Sequence, residues 1–190
     1  MTESELINGI LQRDRNALTH LVTLYQRQIV KTAYYFTGDM GEAEDITQDV
    51  FYEILRSVGT FRGCSGLSTW IYRITVNKSL NHVRRKKRKD LFLNLEAIIH
   101  RNHPTHFHPE PSGMNPGLDQ KESRMILNRA LNALPKQQRT AFILHKCEDL
   151  PQKEIAAVMN VSISAVESLI YRAKIQLRRK LNFYFPEYIK

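Results

Sequence analysis

Little in this sequence supports secretion, membrane insertion or a metal-held fold. Only two cysteines, Cys64 and Cys147, occur in 190 residues. Neither has a partner at zinc-ligand spacing, which argues against a disulfide framework or a zinc module. The apolar runs are a few residues long, Ala141 to Leu144 being typical, whereas a helix needs about 20 to span a bilayer. The first residues, Met1 to Gly9, lack the basic region and apolar core of a signal peptide. Eight glycines and seven prolines exclude collagen-like and low-complexity architectures. These absences predict a cytoplasmic protein with no membrane insertion.

Charge, by contrast, is plentiful and one-sided. Lysine and arginine number 28 against 19 acidic residues, a net charge of +9. Such a balance favours a polyanionic partner. The excess is divided between two ends of the chain: residues 1–89 carry 14 basic and 9 acidic groups, and residues 121–190 carry 13 and 6. The stretch 90–120 between them is acidic and contains Pro104, Pro109, Pro111 and Pro116. Prolines at that density break helices and strands alike. The expected architecture is all-α: two small helical domains, 1–89 and 121–190, joined by a flexible Pro/His-containing linker.

In the first lobe, apolar residues recur at helical spacing. Leu6, Ile7, Ile10 and Leu11 mark a short helix. Asp14 is placed to cap a second helix with Leu18, Leu21, Val22, Tyr25, Ile29, Ala33 and Phe36 as its stripe. After Gly38, Asp39 and Glu42 resemble a capping box. They precede a helix whose stripe is Ala43, Ile46, Val50, Phe51, Ile54, Leu55 and Val58. Glu42, Glu44, Asp45, Asp49 and Glu53 make that helix acidic. The residues alone leave two readings open: stabilisation of the helix dipole, or a docking face. A loop from Phe61 to Gly66 follows. Ser68 or Thr69 then caps a helix from Trp70 toward Lys89, with Arg73, Asn77, Asn81, Arg84 and Arg88 on its polar side. It ends in six consecutive cations, Arg84 to Lys89, more than capping requires and suited to phosphates. Trp70 fits either a core position or stacking on an unpaired base.

The second lobe carries the most specific local pattern. A helix stops at Pro135, another follows, and then a short helix from Pro151 to Met159, a turn at Asn160-Val161-Ser162 and a long helix from about Ser164 to Leu181. Ala156 is small where two helices would cross. Asn160 sits where the chain needs a left-handed conformation. Val166 would plug the core, with Ile170, Ala173 and Leu177 continuing the stripe. This spacing predicts a helix-turn-helix. Ala165, Glu167, Ser168, Tyr171 and Arg172 would then face the major groove, with Lys174, Arg178, Arg179 and Lys180 as a cationic edge.

The ordered set resembles an extracytoplasmic-function (ECF) sigma factor of bacterial RNA polymerase. It consists of Ala43 to Phe51, Phe61-Arg62-Gly63, Ser68 to Ile74 with Asn77 and the basic run, Leu134-Pro135 with Gln138-Arg139, Glu154 to Ala156, and Ala165 to Lys174. The resemblance implies that Glu44, Asp45, Gln48, Asp49 and Phe51 bind core polymerase. It implies that Arg62, Gly63, Ser68, Trp70, Arg73, Asn77, Asn81, Arg84, Arg85, Lys86, Lys87 and Arg88 serve the single-stranded −10 element. Ser164, Ala165, Glu167, Ser168, Tyr171, Arg172 and Lys174 would read the duplex −35 element. An anti-sigma factor is the further partner it implies, with no cofactor and no catalysis. Family members often carry Asp near Asn81 and Ser or Thr in place of Pro151, so this chain departs there. The spacing of the two elements in the family, about 17 base pairs, corresponds to roughly 58 Å. A free tether of about 30 residues averages near 30 Å end to end, so docking must hold it extended.

Two rivals come from other classes. A stand-alone helix-turn-helix regulator explains the second lobe but not the Glu44 to Trp70 set. A metal enzyme built on His100, His103, His106 and His108 lacks a fixed general base, and catalytic sites need rigid support. No metal site is therefore expected.

Overall fold

The computed structural model describes residues 1–100 and 120–182, with side chains omitted at 92–100 and 120–124. Among these residues there are eight α-helices and no strand: α1 (Glu3–Leu11), α2 (Arg15–Thr37), α3 (Met40–Ser57), α4 (Leu67–His100), α5 (Gln120–Asn132), α6 (Lys136–Lys146), α7 (Gln152–Met159) and α8 (Ile163–Leu181). A 3-10 turn, Val58–Thr60, follows α3.

Helix starts follow from side-chain caps. Thr2 and Glu5 form a reciprocal capping box on α1, which the sequence reading missed. Asp14 accepts from the Ala17 amide and Asp39 from the Glu42 amide, each satisfying a donor that the helix itself leaves unpaired. The Glu42 carboxylate does not close the expected box; it reaches across to His82 (3.2 Å) and Lys86 on α4. Helix α4 begins at Leu67, before the expected caps Ser68 and Thr69. Its Leu67 amide donates instead to Glu3 Oε1 of α1 at 3.1 Å.

The expected tether is corrected at its start. Helix α4 continues unbroken through residues 90–100 to His100. The physical reason is compositional: Leu91-Phe92-Leu93-Asn94-Leu95-Glu96-Ala97 contains no Gly or Pro and several strong helix formers, and the first proline is Pro104. The cations Arg84 to Lys89 therefore lie within a helix rather than at its end. Residues 101–119, including His103, His106 and His108, lie outside the described residues.

The first lobe buries Leu21, Ile29, Ile46, Val50, Ile54, Leu67 and Ile71 in one core, with Phe51, Phe61 and Trp70 packed against it. Three expected apolar positions of its helices lie outside: Leu11, Val22 and Leu55 are 51%, 38% and 47% exposed. A second core does not respect the lobe boundary. Phe36, Tyr72 and Val76 of the first lobe join Ala141, Leu144, Ile155, Val158, Val166 and Ile170 of the second. The two lobes are thus packed directly together, which a reading of separate tethered domains does not anticipate.

Candidate docking and nucleic-acid interfaces

Helix α3 divides cleanly by periodicity. Ala43, Ile46, Val50 and Ile54 are buried, so Glu44, Asp45, Gln48 and Asp49 are carried on the opposite, exposed face. Glu44, Asp45 and Asp49 form no ion pair among the described residues. Phe51 is different: it is partly buried against the first core. Tyr52 (67% exposed) and Leu55 lie on the exposed side instead. Sequence reasoning missed both, although Gln48, Tyr52 and Leu55 follow the i, i+4, i+7 spacing of a single helical face.

The two other acids of α3 face α4. Glu53 pairs with Lys78 at 3.0 Å and with Arg56, and the hydrogen bond from Lys78 holds its carboxyl below the usual range. Glu42 holds His82 and Lys86, and its hydrogen bond raises the Lys86 ammonium above its ordinary value. Lys86 is therefore tied to α3. Arg84, Arg85, Lys87, Arg88 and Lys89 are exposed and form no ion pair among the described residues. The expected cationic strip is present, less one member.

At the other end of α4, Trp70 is half-buried, with its ring 5.4 Å from that of Phe61. The indole thus supports the preceding loop. In that loop Gly63 takes a left-handed φ of 67°, a conformation costly to residues with a Cβ. Arg62 is exposed and Ser68 half-buried. Arg73, Asn77 and Asn81 project from one exposed face of α4, and Arg73 Nη2 donates to the Ala157 carbonyl of α7.

The helix-turn-helix has the expected geometry. Asn160 is left-handed (φ 54°, ψ 50°) at the end of α7, and Ser162 caps α8 by accepting from the Ala165 amide. Ala156, Val166, Ile170, Ala173 and Leu177 are buried. Ser164, Glu167, Ser168, Tyr171, Arg172 and Lys174 are exposed, and Ala165 is half-buried. An exposed polar face on the second helix of such a motif is the arrangement that enters a major groove.

Comparison with known proteins matches this layout. Residues 21–89 match the Sigma-70 region 2 model and residues 124–177 the Sigma-70 region 4 model. The RNA polymerase sigma-H factor of Pseudomonas aeruginosa is 30% identical over 176 residues, covering 90% of each chain. This chain belongs to the sigma-70 family. The ECF RNA polymerase sigma-E factor of Escherichia coli K12 is 29% identical over 182 residues, or 95% of each chain. The sigma factor also shares its fold with solved relatives. CnrH, solved in complex with the cytosolic domain of CnrY, aligns over 95% of this chain and 97% of its own, with a TM-score of 0.67 at 20% identity. RpoE of Bartonella quintana, solved with the anti-sigma factor NepR, aligns over 86% and 96% with a TM-score of 0.61 at 22% identity. The chain is an RNA polymerase sigma factor of the ECF type, which directs core polymerase to promoters.

Among the described residues no group of His, Cys, Asp and Glu is placed to hold a metal ion, and no single helix is long and apolar enough to cross a membrane.

Proposed function

We propose a division of labour among the faces of this sigma factor. The exposed face of α3 docks on core polymerase through Glu44, Asp45, Gln48 and Asp49, with Tyr52 and Leu55 supplying apolar contact. Phe51 supports that helix from beneath. Arg62, Gly63 and Ser68 form the loop that receives an unstacked −10 base, and Trp70 holds the loop from behind. Arg73, Asn77 and Asn81 line the path of the strand, and Arg84, Arg85, Lys87 and Arg88 bind its phosphates. Helix α8 reads the −35 duplex through Ser164, Glu167, Ser168, Tyr171, Arg172 and Lys174, with Ala165 beside them. Residues 1–89 and 121–190 act as the two functional units. The protein works in the cytoplasm as an initiation factor without chemistry of its own, and its lobes are the surfaces an anti-sigma factor would cover.

The observation that carries this reading is the separation of charge on α3 and α4. The acids of α3 not engaged by α4 face outward together, while the exposed cations of α4 form a separate strip. A stand-alone DNA-binding regulator has no use for the first of these surfaces. Run-off transcription with core polymerase on genomic fragments tests the assignment. Discrete transcripts are expected only when the protein is added, and Asp45→Lys with Asp49→Lys should abolish them. Undiminished transcripts from that double variant would remove α3 from the docking site.

A further inference from the structure

Helix α1 carries no residue assigned to DNA or polymerase, yet it holds the start of α4. Helix α4 begins at Leu67, and the Trp70 amide donates to the Gly66 carbonyl at 3.2 Å, which places Gly66 at the cap. A glycine has no side-chain oxygen to satisfy the amides that a helix start leaves unpaired. The acceptor comes instead from 64 residues away: Glu3 Oε1 of α1 accepts from the Leu67 amide at 3.1 Å. A carboxylate at that end also complements the helix dipole.

The same helix meets the other end of the loop that precedes α4. The 3-10 turn Val58–Thr60 leads into Phe61, and a Cβ on Gly59 would stand 3.6 Å from Leu11 Cδ2. Leu6 and Ile10 of α1 are buried in one core with Val58 and Leu67. Residues 61–66 are thus held at one end by Leu11 and at the other by Glu3. Between those ends the chain is open. Arg62, Gly63, Cys64 and Gly66 are exposed. A Cβ built on Gly63 or Gly66 would meet nothing within 4 Å beyond its chain neighbours among the described residues. Helix α1 is itself firmly seated. Gly9 lets it approach α2 so closely that a Cβ there would overlap the Ala17 Cβ, and the Thr2–Glu5 capping box fixes the turn that carries Glu3.

We propose that Glu3 is a positioning residue for −10 recognition: its carboxylate caps α4 from α1 and holds the loop 61–66 in the shape that receives the unstacked base. The proposal rests on the assignment of that loop to the −10 strand given above. Glu3 touches no nucleotide in this role. A loop whose two ends are fixed gives up less conformational freedom when the base enters, so the gain is preorganisation. Leu67 shares its helical turn with Ser68 and Trp70, and freeing its amide loosens both.

Glu3→Ala and Glu3→Gln test this through two readings. Trp70 is the only tryptophan of the chain and stands against Phe61, so emission of the free full-length protein reports the loop without DNA. Glu3→Ala should shift that emission to the red, whereas Glu3→Gln, which keeps an oxygen acceptor at the same reach, should leave it in place. The second reading is binding of the −10 non-template strand by the holoenzyme, with the strand intact or abasic at the captured base. Wild type should prefer the intact strand. Glu3→Ala should lose at least about fivefold of that preference, the factor that one hydrogen bond supplies, and Glu3→Gln should stay within about twofold of wild type. Affinity for the abasic strand and for −35 duplex should be the same in all three proteins. An unshifted Trp70 emission in Glu3→Ala overturns the proposal, as does an unchanged preference or an equal loss on the two strands. A wild-type holoenzyme that binds both strands alike overturns the −10 assignment and the proposal with it. A red-shifted Glu3→Ala would then show that the fault lies in the assignment and not in the hold of Glu3 on the loop.

Discussion

Two faces of the first lobe use charge in opposite ways. On the outer face of α3, Glu44, Asp45 and Asp49 stand in solvent without ionic partners among the described residues. On the face toward the second lobe, Lys31, Arg73 and Tyr72 have partners across the boundary, and Arg139 of the second lobe reaches back to the end of α2. Exposed charge of one sign, gathered on a helix whose other side is firmly buried, is available to a partner. Charge already matched inside the chain contributes to the fold. The difference teaches that charge on a sequence is not informative until its partners are known.

That contrast is broken most forcefully at Arg139. Burial lowers its guanidinium pKa to about 10, and removing it leaves helix-end carbonyls of α2 buried and unpaired. Arg139→Ala should cost about 1–3 kcal/mol in urea unfolding. Asp45→Lys with Asp49→Lys should cost less than about 0.5 kcal/mol per site. Equal losses would mean that the two faces do not differ in kind.

Next in size is the effect on base reading. Arg172→Ala should cost about 1–3 kcal/mol at a single −35 base pair, seen as relaxed preference in binding to a set of duplex variants. A change of preference confined to −10 bases would reverse the roles of the lobes. Neutralising Arg84, Arg85, Lys87 and Arg88 should act differently, weakening all promoters alike. The slope of log affinity against log salt should flatten by somewhat less than one unit per lost phosphate contact. Lys86, held by Glu42, should contribute less to that slope than its neighbours.

The helices, the helix-turn-helix and the outward acids of α3 were legible in the sequence because each is written in local spacing. Asn160, Ala156 and Val166 carry their reasons within a dozen residues. The lobe contact was not legible, since Phe36, Tyr72 and Arg139 are distant in the chain and each has an ordinary local explanation. Phe36 reads as a member of a helix stripe, and nothing local shows that its partners belong to the other lobe. The end of α4 was misread because a run of cations resembles a helix terminus, whereas the following Leu91 to Ala97 stretch has no residue that stops a helix. Leu55 was misread by a stripe drawn one position too wide, whereas Phe51 of the same stripe does pack against the core.

The smallest expected effect is a dependence on pH. Glu148 faces Lys31 and Thr32 of α2, Tyr72 of α4 and its neighbours Cys147 and Asp149; burial raises its carboxyl above the ordinary value despite the nearby ammonium. Burial likewise pushes the Cys147 thiol up to about 11, so it stays protonated at neutral pH. A raised carboxyl pKa means that packing of the lobes takes up a proton. The stabilisation is complete below the ordinary carboxylate pKa of about 4.3 and fades as pH rises through the raised value. Scattering of the wild type between pH 7 and mildly acidic pH should show slight compaction, and Glu148→Gln should remove that dependence.

The most direct test of the central claim is the affinity of labelled full-length protein for core RNA polymerase, wild type against Asp45→Lys with Asp49→Lys. The account predicts a loss of at least about tenfold, or 1.4 kcal/mol, with thermal unfolding of the free protein unchanged. Equal affinity for core polymerase in the two proteins would contradict it.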